Sequence, residues 1–218
     1  MINKNVELLS FFGNDLMVIN AARVSYGKQK DEFDVKDEKL IKYLVEHKHT
    51  APFRHPQLQF RITCPIYVER QLFKHQVGLS ANSISGRYVD FSDSYTEIKQ
   101  FRKQSVSSKQ GSAEDLDIMI NREALIIQNE VIEFCRGAYN KLINRGVSKE
   151  QARTILPLNL NTTFIWTGSL LAFLHVFELR LKVDTQAETR EIAAQMLKLV
   201  QELPGNPFEH TLKAFGYE

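Results

Sequence analysis

The sequence predicts an α+β fold, mostly helical, with a small antiparallel or mixed sheet flanked by helices. Three observations predict it. In HPQLQFRITC, apolar Leu58, Phe60, Ile62 and Cys64 alternate with polar Gln57, Gln59, Arg61 and Thr63, the period of a half-buried strand. Longer stretches instead carry apolar residues three and four apart, the period of helices packed on one face. The length, 218 residues with 43% hydrophobic and 25% charged, fits one domain, 1–218, with a sizeable core.

The elements follow in order. Residues 6–12 (VELLSFF) are a short apolar run, read as a strand. A helix is expected over 15–26, with Asn14 as its cap and Leu16, Ile19, Ala22 and Val24 as apolar positions. A second is expected over 37–48, with Leu40, Ile41, Leu44 and Val45 on one face. Pro65 ends the strand and suits the first turn of a helix running through IYVERQLFKHQ. Residues 92–112 are polar, and QSVSSKQGS within them suits a mobile excursion. One long helix is expected from Ser112, with Asp115 completing a capping box, to Gly146 as its stop. Ser148 and Gln151 form a second such box before a short helix that Pro157 interrupts. Two further helices are expected at 169–181 and 185–203, closed by Pro204 and Gly205.

Composition narrows the function. Lys+Arg number 28 and Asp+Glu 26, a net charge of +2, which argues against a global polycation built for nucleic acid. No apolar run reaches 18 residues, so no membrane span is expected. The first residues lack the apolar core of a signal peptide. Two cysteines, Cys64 and Cys135, make neither a disulfide framework nor a zinc site. A reducing, cytoplasmic setting is expected, that of the host if the source is viral.

The charge is concentrated locally. Between Pro52 and Tyr88 stand Arg54, Arg61, Arg70, Lys74 and Arg87 against Glu69 alone, an excess that attracts phosphate groups. The run KHQVGLSANSISGRY holds three serines, two glycines and Arg87 with no helical or strand period. Its Ser-Gly-Arg offers backbone N–H groups beside a guanidinium, which suits an anionic ligand. It is no P-loop, because G-x-x-x-x-G-K-[ST] is absent. Arg153 and Arg180 each stand beside an apolar run and need an acceptor. Glu178 or Asp184 would supply one as a structural ion pair.

No nucleophile stands out. Cys64 falls on the inner face of the strand and Cys135 within the long helix, as core residues would. No GxSxG elbow or HExxH pair appears. An organic cofactor is therefore expected to carry the hard step if the chain is an enzyme.

These pieces resemble the flavin-dependent thymidylate synthases. The resemblance runs through AARVSYGK, HTAPFRH, PIYVERQLFKHQVGLSANSISGRY, ARTILPLNLNTTFIW and FLHVFELRLKVDTQAETREI, in that order. The family signature, R-H-R then seven residues then Ser, is matched by Lys74-His75-Gln76, eight residues, then Ser85. The resemblance implies methylation of dUMP to dTMP, with methylenetetrahydrofolate as carbon donor and FAD reduced by NADPH. It assigns Gln71, Lys74, Ser83, Ser85, Gly86, Arg87, Arg153 and Arg180 to dUMP, with Arg180 as the catalytic group beside uracil N3. It assigns Ala51, Arg54, Lys74, His75, Gln76, Ser83, Ser169, Leu171 and His175 to FAD, the first two supplied by a neighbouring subunit. It implies a homotetramer, with no metal, membrane or nucleic acid as partner.

The chain departs from the family at named places. Lys74 and Gln76 replace arginines, and the spacer gains a residue. Ser83 replaces a glutamate, and Arg54 an acid. Ser169 and Leu171 replace an asparagine and an arginine, and Asp184 a histidine. Two other readings follow from the residues: a nucleic-acid-binding module using the basic patch, and a synthase-like nucleotide-binding protein with a weakened flavin site.

Overall fold

The computed structural model describes residues 5–90, 93–106 and 111–217. Its main sheet is antiparallel throughout. β1 (Val6–Phe12) pairs with β2 (Gln57–Pro65), β2 with β6 (Asn161–Ser169), and β6 with the edge strand β3 (Leu79–Ser83). The expected alternation of β2 holds, with Leu58, Phe60, Ile62 and Cys64 all at most 2% exposed. β6 lies in register with it, Phe60 opposite Trp166 and Ile62 opposite Phe164. On the other face Gln59 donates to Thr167 Oγ1 at 2.9 Å, and the Thr63 and Thr163 hydroxyls meet at 2.9 Å.

Helices flank this sheet, as the α+β expectation required. α6 (Leu170–Arg180) begins directly at the end of β6, where the Ser169 hydroxyl accepts from Ala172 N at 3.2 Å. It is buried from Leu170 to Leu174 and at Val176 and Phe177. Phe173 meets the rings of Phe60 and Trp166 edge-on at 5.0 and 5.4 Å. α7 (Ala187–Gln201) closes the same core with Ile192, Met196 and Val200. α1 (Asp15–Arg23) and α2 (Val35–Glu46) form a second cluster with Phe53 and Leu171. α8 (Glu209–Ala214), which the sequence reading did not include, is capped by buried Asp15, which accepts from His210 N and Thr211 N.

Several boundaries move for identifiable reasons. α1 takes its cap from Asn14 as expected, but stops at Arg23, and residues 24–26 tighten into a 3-10 turn. α2 starts two residues early because Asp34 and Asp37 form a reciprocal capping box. α3 (Ile66–Leu72) does not run through KHQ but ends first, leaving Lys74, His75 and Gln76 on the connection to β3. The aperiodic 79–83 stretch is a strand. Residues 80–83 are exposed on both faces, so no alternation marked it.

The long helix α4 (Ile118–Asn144) starts six residues later than expected. Ser112 and Asp115 do not cap it. Residues 112–115 form β5 (Ser112–Asp115), paired with β4 (Arg102–Gln104), and Asp117 takes the cap by accepting from Met119 N at 2.9 Å. Gly146, in the left-handed region at φ +84°, follows the helix end as expected. Ser148 precedes α5 (Lys149–Ala152), but its side chain makes no cap bond. Of the expected mobile excursion, residues 107–110 lie outside the described residues, and its flanks form the β4–β5 hairpin. Cys64 is buried as expected, while Cys135 is only partly so.

Candidate active site

The centre of the site is built where α3, the connection after it and the ends of α6 and α7 converge. Arg180, the last residue of α6, turns back onto the connection. Its Nε donates to His75 Nε2 at 2.9 Å and its Nη2 to the Gln71 carbonyl at 2.8 Å. The ion pair with Glu178 or Asp184 allowed by the sequence does not form; both acceptors are neutral. Burial, with the Arg180 and His175 charges adding to it, pushes the His75 imidazole down to about 4. A neutral ring can accept from a guanidinium, and the bond fixes its tautomer with the proton on Nδ1.

α7 holds Gln71 from the other side. The Thr189 hydroxyl donates to Gln71 Oε1 at 3.0 Å, and Gln71 Nε2 donates to Gln186 Oε1. Gln71, Arg180 and Gln186 line a cavity of about 570 Å³, together with Leu179, Lys182, Asp184 and Thr185. Two of the five guanidinium N–H groups of Arg180 are used by His75 and Gln71. The others have no partner among the described residues.

The second part is the turn after β3. β3 is held on β6, with Ile84 N continuing the ladder to the Thr163 carbonyl at 2.8 Å. Gly168 makes this pairing close, since a Cβ there would meet Gly78 O at 2.4 Å and Leu79 Cδ2 at 2.5 Å. Ser83 donates to Glu69 Oε1 at 2.8 Å, which ties the root of the turn to α3. Tyr88 N and Val89 N both bond the Ser85 carbonyl at 3.0 Å. Ser85 Oγ accepts from Arg87 N at 3.3 Å, and the Arg87 guanidinium lies 5.1 Å from the Tyr88 ring centre. Gly86 is buried and Arg87 exposed. Lys149, at the start of α5, reaches the Tyr88 carbonyl at 3.2 Å. This brings to the turn the short helical segment that ends in exposed Arg153.

The remaining site residues fall in two settings. Ala51 and Arg54, on a 3-10 turn (Ala51–Arg54), line a separate cavity of about 460 Å³ with Ser25, Lys48 and His49. Lys74, Gln76 and His175 are exposed. Ser169 and Leu171 carry structural duties, Ser169 as helix cap and Leu171 within the second core cluster.

The structure therefore joins Gln71, His75 and Arg180 directly and groups Ser83, Ser85, Gly86 and Arg87 on one turn. It does not join Ala51 or Arg54 to either group. Sequence reasoning missed Glu69, Lys149, Gln186 and Thr189. For the α7 pair a signal existed: Gln186 and Thr189 are three apart at a helix start, so both face one neighbour.

Comparison with known proteins gives a consistent result. The family model described as "Thymidylate synthase complementing protein" matches residues 7–204. A flavin-dependent thymidylate synthase of Thermus thermophilus is 39% identical over 197 residues, 90% of this chain and 71% of that one. That of Thermosipho melanesiensis is 35% identical over 212 residues, 97% of this chain and 91% of that one. In fold, the chain resembles a UMP/dUMP methylase from Streptomyces cacaoi solved with 5-Br dUMP. That match has a TM-score of 0.84 at 24% identity and covers 96% of this chain and 93% of that one.

Proposed function

Because the chain belongs to the flavin-dependent thymidylate synthase family, we propose that it methylates dUMP to dTMP at the Arg180 centre. Methylenetetrahydrofolate is the carbon donor, and FAD reduced by NADPH is the cofactor. The observation that carries the assignment of Arg180 is its pairing with two neutral acceptors, His75 Nε2 and the Gln71 carbonyl. Among the described residues no carboxylate pairs with it, although Asp184 lines the same cavity, so its positive charge remains for a uracil ring that becomes anionic at N3 and O2. Stabilising that charge raises electron density at C5, an effect worth about 3 kcal/mol for a well-placed donor.

The other side chains bind and orient. Arg87 and Arg153 are exposed guanidiniums without an acidic partner among the described residues, suited to the 5′-phosphate beside Ser85 and Gly86. Ser83 sits at the root of that turn, and Lys74 on the connection that leads from α3 into β3. Gln71, clamped by Thr189 and Gln186, presents a fixed edge to the nucleotide. Ser85 has no adjacent base and serves binding.

The residues fit FAD through the chemistry of their donors. Lys74 and Arg54, with Lys48 beside it, have no acidic partner among the described residues and suit a diphosphate. Ala51, His75, Gln76, Ser83 and His175 complete the set. Ser169 and Leu171 act through the helix start they hold. When bound, FAD supplies the hydride and relays the one-carbon unit to C5.

The chain acts as one domain, 1–218, in the cytoplasm, where its two free cysteines stay reduced. It assembles as a homotetramer in which Ala51 and Arg54 serve a neighbouring copy's site, and nucleic acid is no partner. Among the described residues, no helix is long and apolar enough to cross a membrane.

Anaerobic incubation with NADPH, dUMP and methylenetetrahydrofolate, followed by assay for dTMP, tests the reading. A yellow protein that forms dTMP supports it. A protein that stays colourless with added FAD and retains no dUMP overturns it.

A further inference from the structure

The charge of Arg180 cannot by itself choose the base. A guanidinium only donates. On the N3/O2 edge, cytosine offers two acceptors, and neutral uracil offers an N–H beside one acceptor. Arg180 therefore suits ground-state cytosine at least as well as uracil, and a second polar group has to tell them apart. The two bases differ again at C4, where uracil carries an acceptor oxygen and cytosine a donor amino group. A primary amide can meet either one, depending on which way round it stands.

Gln71 is the amide next to Arg180, whose Nη2 holds its carbonyl at 2.8 Å, and both line one cavity. Lys182 and Asp184 line it too, but both are exposed, so neither offers a fixed group. The direction of the Gln71 amide is not decided by its immediate partners. Thr189 is a hydroxyl, able to donate or accept, and Gln186 is another amide. It is decided one residue further back. Arg102, on β4, donates to Glu188 Oε1 at 2.7 Å. Burial pushes the Glu188 carboxyl up, but the Arg102 bond, its own backbone N–H and the Gln186 side chain together hold it below its ordinary value. It stays an anion that only accepts. Its Oε2 is buried without a hydrogen bond among the described residues, and an acceptor left in that state favours an N–H facing it. The Gln186 amide accordingly turns its nitrogen toward Glu188 and its oxygen toward Gln71. Gln71 then gives Nε2 to Gln186 and Oε1 to Thr189, which is the arrangement observed. One N–H of Gln71 Nε2 is left for a ligand.

We propose that Glu188 is a positioning residue for base choice: through Gln186 it fixes the Gln71 amide with its remaining N–H toward uracil O4, so that the amino group of cytosine meets a donor and is rejected. This rests on dUMP binding at the Arg180 centre. Glu188 is not among the residues lining that cavity, so it acts through the two amides.

Glu188→Gln tests it, because the new side chain keeps the size but can donate as well as accept, which lets Gln186 and Gln71 turn over together. Gln186→Met removes the link itself. The quantity to measure is the ratio of the dissociation constants of dCMP and dUMP, which share sugar and phosphate, by calorimetry on the FAD-loaded protein. In wild type dUMP should bind at least about 10²-fold more tightly. In Glu188→Gln that ratio should fall by about tenfold or more. An unchanged ratio in folded Glu188→Gln, even with a lowered thermal midpoint, makes Glu188 a structural tie and overturns the inference while dUMP methylation stands. Should that variant not fold, the ratio in Gln186→Met decides in the same way. A wild type that binds dCMP as well as dUMP also overturns the inference alone. A wild type that retains neither nucleotide overturns the proposed function with it.

Discussion

Arg180 donates its Nε–H to His75 Nε2 at 2.9 Å across 105 residues of sequence. The same guanidinium bonds the Gln71 carbonyl at 2.8 Å. One side chain thus closes α6 onto the connection that follows α3, and what it presents to a ligand depends on keeping two neutral acceptors.

Arg180→Lys should damage turnover more than binding. A lysine offers one compact charge and cannot hold both acceptors while presenting a planar edge to uracil. The contacts proposed for the 5′-phosphate at the 85–87 turn are untouched by the change, so dUMP affinity should fall by less than about tenfold, while the chemical step slows by about 10²–10³-fold. Single-turnover flavin oxidation and equilibrium dUMP binding on one preparation check this. An unchanged oxidation rate with a lowered thermal midpoint would leave Arg180 a structural tie.

His75 should make the fold pH-dependent in a stated window. Its imidazole is pushed from 6.5 down to about 4 by burial, then by Arg180 and His175. Between those values the unfolded chain holds a proton that the folded chain does not. The resulting contribution to stability is fully present above about 6.5 and is lost as pH falls through about 4. In wild type the thermal midpoint should decline over that window, and His75→Gln should decline less. A His75 ring resonance that titrates near 6.5 in the folded protein would contradict the buried, neutral ring.

The cysteines should be dispensable for chemistry. Burial, with Glu69 adding to it, pushes the Cys64 thiol up to about 12, which denies it a thiolate at neutral pH. The Cys64→Ala/Cys135→Ala variant should lose about 1–2 kcal/mol of stability from the vacated core volume and keep dTMP formation near wild type. Loss of turnover in folded, dUMP-binding protein would point to a thiolate route.

Gly168→Ala should loosen the edge strand. The added methyl would lie 2.4 Å from Gly78 O and 2.5 Å from a Leu79 methyl carbon, so β3 must move off β6. The expected cost is about 1–3 kcal/mol, with weaker dUMP binding because the 85–87 turn hangs from β3. Calorimetry and dUMP titration check both. A midpoint equal to wild type would show that β3 yields freely.

How much of this was legible depended on burial. β2 announced itself because one face is core and the other polar. β6 carries a similar signal in Thr162, Phe164 and Trp166, all buried, but its outward Ile165 blurs the alternation. β3 gave none, because as an edge strand it is exposed on both sides along residues 80–83. Ser112 and Asp115 looked like a cap and became a strand, because a capping pattern records local chemistry and not the pairing with β4. Within the site, the importance of Arg180 and His75 came from family resemblance. Their contact did not, since only the packing of α6 against the sheet brings them together. Ser169 and Leu171 were assigned to flavin, and the structure uses their side chains for a helix start and a core.

The place of β6 between β2 and β3 has a consequence for how the protein is made. Its partners lie far upstream, with Thr63 meeting Thr163 across 100 residues. Until Asn161–Ser169 has left the ribosome, β2 has a bare edge and β3 has no partner in the sheet. Such long-range pairing folds slowly, and an unpaired edge invites other chains. Arg180 emerges later still, so a nascent chain can neither hang the 85–87 turn on the sheet nor anchor His75. The order of synthesis makes nucleotide binding one of the last properties the chain acquires.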